Sequence, residues 1–376
     1  MRKNLFVRSI AAVSGIVMLA SLAACGDNTS SAGNNSGSTS TEKITGSFSG
    51  AGATSQQAAE EAWISAYMAA NSGANVTYNP TGSGAGVTTF LSGATAWAGS
   101  DKALSDDEVT QSSDKACANG TTAFDVPVYI SPIAIIFNLK GVSDAGKHIN
   151  LDADTAAKIF DGKIVKWNDP AIANQNKDLT LPDTQITVVH RSDKSGTTQN
   201  FVSYFKDQAP DSWTHELSEN WPDIPGQQSA KGTSGVVTAV KQADGTIGYA
   251  DFSQVGDLGT VAVKVGDKYN EISAEAGSKV IADSKQDDTV KGDNRIVIKI
   301  NHATEAEGAY PIVLVSYDIV CPAYKDTKQA EFAKAWLTYV TSDEGQKAAQ
   351  DAAGTAPLPS SLKSEITKSI EAIKTK

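Results

Sequence analysis

Arginine is almost missing from this chain of 376 residues: Arg2, Arg8, Arg191 and Arg295 are all it has. The rest of its 32 basic residues are lysines (32 − 4 = 28), so lysine supplies solubility and each arginine asks for a specific reason. Histidine is as scarce, and His148, His190, His215 and His302 show no metal-ligand spacing. With no G-x-S-x-G elbow either, the usual residues of metal-assisted or elbow-serine hydrolysis are missing. His190 as a base toward Ser195 would need a third orienting group that the sequence does not identify. Positive charge is short overall, with a net charge of −11. Removing residues 1–24 takes away Arg2, Lys3 and Arg8 and no acid, which brings the net charge to −14 (−11 − 3) and argues against nucleic acid or an anionic surface as partner. An anionic ligand must then be held by local groups against the global field.

The apolar run from Ile10 to Leu22 is too short to span a bilayer comfortably. Behind Met1-Arg2-Lys3 it reads as an export leader, residues 1–24. Leu22-Ala23-Ala24-Cys25 resembles the bacterial lipobox, which implies cleavage before Cys25 and lipid on its thiol. Residues 25–46, rich in Ser, Gly and Asn, read as a flexible tether; a coil of about 20 residues spans roughly 25 Å. Beyond Cys25 only Cys117 and Cys321 remain, and in an exported protein an even remainder favours a disulfide, with two buried thiols as the alternative.

The remaining body, about 330 residues, is large for one core, and its strand-like and helix-like runs alternate; both point to an α/β fold of two lobes. A helix over residues 56–70 places Ala59, Trp63, Ala66, Tyr67 and Ala70 on one stripe. Strands are expected at Val76–Tyr78 and Trp97–Ser100, with a helix from about Val87, and Ser105-Asp106-Asp107-Glu108 has capping-box spacing. Phe124–Leu139 is β-rich but carries Pro127 and Pro132, which suits a strand crossing between lobes better than an ordinary one. Tyr310–Val320 reads as a second crossing, after which helices from Gln329 return to the first lobe. The boundaries are then 47–126 with 311–376 for lobe I and 127–310 for lobe II, joined by a two-stranded hinge with the ligand cleft between them. Cys117 precedes one crossing and Cys321 ends the other, so adjacent crossing strands would bring their sulfurs together.

Arg191 lies where a strand-like run hands over to Ser195-Gly196-Thr197-Thr198 and a helix-like run. A rigid fork of donors beside a helix start suits an oxyanion. A surface ion pair between Arg191 and Asp193 is the other reading, and it stays open at this point. Gly52-Ala53-Thr54-Ser55 and Gly82-Ser83-Gly84-Ala85-Gly86 repeat the strand-to-helix pattern. Each alone is an ordinary cap or turn, but together with Arg191 they suit one small tetrahedral oxyanion. Asp101 makes the set specific, because a carboxylate among such groups is costly unless the ligand brings it a proton. Gly141–His148 matches the nucleotide-binding G-x-x-x-x-G-K spacing, but His148 stands where Ser or Thr should hold magnesium, so it reads as a surface turn.

These residues resemble the phosphate-binding proteins that serve bacterial phosphate ABC transporters, within the two-lobed substrate-binding-protein superfamily. The likeness runs through Gly50-Ala51-Gly52-Ala53-Thr54, Gly82-Ser83-Gly84, Gly99-Ser100-Asp101, Gly162–Trp167, Arg191 with Ser195-Gly196-Thr197, Ile247-Gly248-Tyr249 and Ala356-Pro357-Leu358-Pro359. It implies a monomeric, lipid-anchored protein outside the cytoplasm that encloses phosphate between its lobes, without metal or cofactor, and hands it to an ABC permease. Thr54, the backbone N–H of Ser55, Ser83 and Asp101 would bind from lobe I. Arg191, Ser195, Gly196 and Thr197 would bind from lobe II, with Asp193 orienting Arg191. Ser55 is a departure, since relatives often carry an aromatic residue there. The cysteine pair and the tether resemble the actinobacterial branch. Sulfate or molybdate binding and a secreted phosphatase are the rival functions.

Overall fold

The structure, a computed structural model, describes residues 44–143 and 148–375. The expected leader, the Cys25 lipidation site and all but the last residues of the tether lie outside the described residues, as does part of the Gly141–His148 turn. The chain alternates strand and helix: β1 (Gly46–Gly52), α1 (Gln57–Ala70), β2 (Ala74–Pro80), α2 (Ser83–Leu91), β3 (Trp97–Ser100), α3 (Asp106–Lys115), β4 (Phe124–Asn138), β5 (Ile149–Leu151), α4 (Ala153–Phe160), α5 (Pro170–Ala173), β6 (Thr187–Arg191), α6 (Gly196–Gln208), β7 (Gln228–Ala230), α7 (Gly232–Gln242) and β8 (Thr246–Asp251). Then come β9 (Gly259–Val265), β10 (Lys268–Asn270), α8 (Ala274–Ala282), β11 (Lys285–Gln286), β12 (Ile298–Lys299), β13 (Val313–Val320), α9 (Thr327–Val340), α10 (Asp343–Ala353) and α11 (Lys363–Glu371).

The main sheet runs β2-β1-β3-β13-β4-β8-β6-β7, with β9 joining β4 to β5 and β10. Its spine is β4. Residues Phe124–Pro132 pair antiparallel with β13, and Ile133–Asn138 pair antiparallel with β8, so the strand belongs to two half-sheets in turn. Both faces of β4 are covered, which is why it reads as an almost unbroken apolar run. Its prolines, which cannot donate to a ladder, sit at special points: Pro132 where the partner changes, and Pro127 beside the register shift at Ser316/Tyr317. The second crossing is shorter than the sequence suggests. All of β13 lies in the half-sheet of β1 and β3, and the approach to the other half is made by its lead-in, where Ile133 N–H donates to Ile312 O (2.8 Å) and Tyr310 O–H to Ile133 O (3.1 Å).

The local signals are realised with two adjustments. The Ser105–Glu108 capping box is made in both directions. In α1 the stripe buries Ala59, Trp63 and Tyr67 as expected, but Ala70 at its last position is exposed and Glu60 is buried instead. The second helix begins at Ser83, four residues before the expected Val87, because Gly82, at φ +101°, turns the chain straight into it. The returning helix α9 packs against β1 and β3: Phe332 stacks on Phe48 with centroids 4.2 Å apart, and Trp336 meets Trp97 at 5.3 Å. Cys117 and Cys321 are disulfide-bonded, tying the end of α3 to the end of β13. Arg295 has a structural reason for being arginine: its buried fork reaches Asp125 (2.6 Å) and the carbonyls of Leu104 and Lys291, fastening the chain before β12 to the start of β4. Among the described residues no helix is long and apolar enough to cross a membrane.

Candidate oxyanion site

The ends of β1, β2, β3 and β6 all hand over to helices or turns at one place, the side of an α/β sheet where ligands gather. Three of the expected helix starts meet there. Ser83, first in α2, accepts from Asp101 N–H (3.3 Å). Gly196, first in α6, comes so close that a Cβ on it would lie 2.8 Å from Ser83 Oγ and 2.9 Å from the Asp101 carbonyl carbon. No larger residue permits that approach. Asn200, one turn on, clamps the junction by donating to Asp101 O (2.7 Å) and Gly196 O (2.9 Å). The expected set is buried throughout, with Ser55 0%, Asp101 2%, Arg191 3%, Ser195 1% and Thr197 2% exposed.

Asp101 is the centre of the network. Its Oδ2 accepts from Ser55 Oγ (2.6 Å) and Thr197 Oγ1 (2.7 Å), and its Oδ1 from Ser316 Oγ (2.8 Å), whose oxygen in turn accepts from Gln56 Nε2 (2.8 Å). Burial pushes the carboxyl above its ordinary range, while those three hydroxyls and the charge of Arg191 pull it down without cancelling the rise. Ser55, expected to act through its backbone, thus also contributes its hydroxyl.

Arg191 donates from Nε to Asp193 Oδ1 (2.8 Å) and from Nη2 to Asp193 Oδ2 (2.6 Å). The ion pair left open by the sequence is formed, but as a buried bidentate clamp and not a surface contact. Burial raises the Asp193 carboxyl, and the Arg191 hydrogen bonds and charge outweigh it, leaving the group below its usual range. Only part of the guanidinium fork is spent on Asp193, so Arg191 keeps N–H groups for an anion. Ser195 caps α6 by accepting from Thr198 N–H (3.1 Å). His190 stacks on Trp221 and has its Nδ1 3.0 Å from Arg191 O, so the arrangement gives no sign of a base serving Ser195.

Two participants were not expected. Ser316 arrives on β13, which lies between β3 and β4, and nothing local in its strand announces it. Thr233 meets Thr54 across the site, with its Oγ1 2.9 Å from Thr54 Oγ1 and its N–H donating to the same oxygen at 3.0 Å. Lys231-Gly232-Thr233-Ser234-Gly235 has the strand, Gly/Thr, helix order of the other segments and was legible as a fourth member.

The model of the PBP superfamily domain matches residues 37–344. The chain is also 36% identical to the phosphate-binding protein PstS2 of Mycobacterium bovis, over 98% of this chain and 99% of that one. The chain belongs to the phosphate-binding proteins of the PBP superfamily. A second mycobacterial member, PstS3 of Mycobacterium bovis, is 34% identical over 94% of this chain and 95% of its own. The family reaches beyond mycobacteria, with PstS of Xylella fastidiosa 34% identical over 85% of this chain and 83% of its own. Among solved structures, a high-affinity periplasmic phosphate-binding protein with bound phosphate has a TM-score of 0.69 at 22% identity, over 86% of this chain and 93% of that one. A Clostridium perfringens protein solved with bound phosphate has a TM-score of 0.59 at 20% identity, over 84% of this chain and 100% of that one. At those identities the likeness speaks for the fold, which is the mixed α/β, two-lobed one expected.

Proposed function

We propose that this family member captures inorganic phosphate between its two half-sheets and delivers it to an ABC importer, as a monomer held outside the cytoplasmic membrane by lipid on Cys25. The observation that carries the reading is Asp101, a buried carboxylate beside Arg191 and the starts of α1, α2 and α6. Such a mixture suits an anion that both accepts and donates. At neutral pH phosphate keeps at least one proton, which goes to Asp101. Its remaining oxygens accept from Thr54, Ser55 N–H, Ser83, Arg191, Ser195, Gly196 N–H and Thr197 N–H, the Thr197 hydroxyl proton being held by Asp101, while Asp193 holds the guanidinium. Lobe I then takes 47–132 with 311–376 and lobe II 133–310, six residues later in β4 than the expected 126/127 boundary because 127–132 still pair with β13, and the partner change at Pro132 with the lead-in to β13 is the hinge. Neither metal nor cofactor takes part. The relatives carry the names of binding proteins, and the Ser195 hydroxyl is engaged as a helix cap, which favours capture over hydrolysis. Calorimetry with phosphate, then sulfate and molybdate, tests the reading: tight phosphate binding with weak or no binding of the others is expected. Preferential sulfate or molybdate binding, or turnover of a chromogenic phosphate ester, would replace it with one of the rivals.

A further inference from the structure

The start of α7 has an unusual cap. Lys231, at the N-cap position, offers the helix no side-chain oxygen, so the first N–H groups of α7 need acceptors from elsewhere. Gly232 N–H finds Asp193 Oδ1 (3.0 Å) and Thr233 N–H finds Thr54 Oγ1 (3.0 Å). Thr54 lies 179 residues away in the turn between β1 and α1, whereas α7 packs on β6 and β8. A residue of one half-sheet therefore caps a helix of the other. The same helix start touches both the expected ligand Thr54 and the carboxylate that holds Arg191.

A hydroxyl has one proton and two acceptor positions. The amide of Thr233 occupies one acceptor position of Thr54. The remaining protein contact is hydroxyl to hydroxyl, Thr54 Oγ1 to Thr233 Oγ1 at 2.9 Å, where either partner can donate. An unprotonated anion oxygen only accepts, so Thr54 serves it only by giving up its own proton. That sets the direction of the pair: Thr233 O–H donates to Thr54, and Thr54 O–H donates to the anion. We propose that Thr233 is a positioning residue for phosphate capture. It commits Thr54 to the role of donor and strengthens it through a relay of hydroxyls backed by the positive end of α7. Because the two threonines come from opposite half-sheets, the relay is complete only when the halves meet, which ties Thr54's donor strength to closure. Thr233 is 1% exposed, so solvent does not compete for the contact.

This inference rests on the phosphate reading, and the experiment separates the two. Thr233→Val keeps the shape and the backbone N–H but deletes the hydroxyl. Calorimetry with phosphate should show about tenfold weaker binding, the scale of one neutral hydrogen bond, and stopped-flow should place the loss in faster release. Thr233→Ser should restore the parent affinity, and melting without phosphate should be parent-like for Thr233→Ser and fall by no more than a few degrees for Thr233→Val. In a Thr54→Val background Thr233→Val should add nothing, because the relay has lost its only output. Parent-like affinity in Thr233→Val, or losses at the two threonines that add in full, would overturn the role. If the valine variant does not fold, Thr233→Ala is held to the same outcomes. A parent protein that ignores phosphate would instead overturn the function on which the inference rests.

Discussion

Replacing Asp101 by asparagine should convert a phosphate-selective site into one that also takes sulfate. The carboxylate accepts from three hydroxyls, Ser55 and Thr197 on Oδ2 and Ser316 on Oδ1. In Asp101→Asn, a side chain with its oxygen toward Ser55 and Thr197 keeps two of those contacts. Its amide then donates to Ser316 Oγ, which already accepts from Gln56 and can turn its own proton aside. The network survives, so the substitution removes charge without opening a hole. Sulfate in the parent places an unprotonated oxygen against a fully buried carboxylate, an uncompensated contact worth several kcal/mol, of which about 3 kcal/mol corresponds to roughly a hundredfold in affinity. Phosphate loses an acceptor for its proton but gains relief from a like charge, so its affinity should move far less. Calorimetric titration of parent and variant with both anions reads this directly: sulfate affinity should rise about a hundredfold while the phosphate value stays within about tenfold. The pH supplies a second reading. Burial holds the Asp101 carboxyl above its ordinary range, so falling pH neutralises it earlier than an exposed aspartate. The parent's phosphate-to-sulfate ratio should therefore narrow toward acid, while the variant's should not follow it. An unchanged ratio between parent and variant would show that Asp101 is not the selectivity element.

Arg191→Lys keeps the charge but cannot serve Asp193 through two nitrogens and an anion at once, so phosphate affinity should fall at least tenfold by calorimetry; parent-like affinity would remove Arg191 from the ligand set. Asp251, fully buried at the end of β8, has its carboxyl pushed up to about 7 by burial, so the folded chain holds a proton that the unfolded chain releases near pH 4. Its contribution to stability is full below that lower value, is lost as pH rises to about 7, and amounts to on the order of 4 kcal/mol. Asp251→Asn mimics the neutral acid, and the stability read by urea unfolding from pH 5 to 8 should fall less steeply for the variant than for the parent; parallel curves would refute the assignment. Cys25→Ser should release the protein into the medium or leave it unprocessed, and unchanged membrane association at the same processed mass would count against lipidation.

The chemistry of the proposed site is written locally. A strand, then Gly with Ser or Thr, then a helix is a pattern of neighbouring residues, and Thr54, Ser83 and Ser195 each owe their place to such a turn or helix start. Arg191, one of only two arginines beyond the leader, was equally visible, as was Asp101 at the end of a strand. The inventory of donors and one acceptor, together with the α/β class that their punctuation implies, could therefore be read from the order of residues. That order marked Arg191 by the helix start behind it but gave Arg295 no role: only the tertiary structure shows Arg295 buried, with Nε on Asp125 and its other nitrogens on the Leu104 and Lys291 carbonyls, fastening a segment to β4. Nor did it reveal Ser316 or the bond between Thr54 and Thr233. Those depend on contacts spanning 215 and 179 residues, created when β13 slots between β3 and β4 and when α7 is carried against the turn after β1. Periodicity and capping act over one or two turns of chain, whereas strand order follows from which apolar faces can be buried together, so the distant partners of Asp101 and Thr54 exist only once the sheet has assembled.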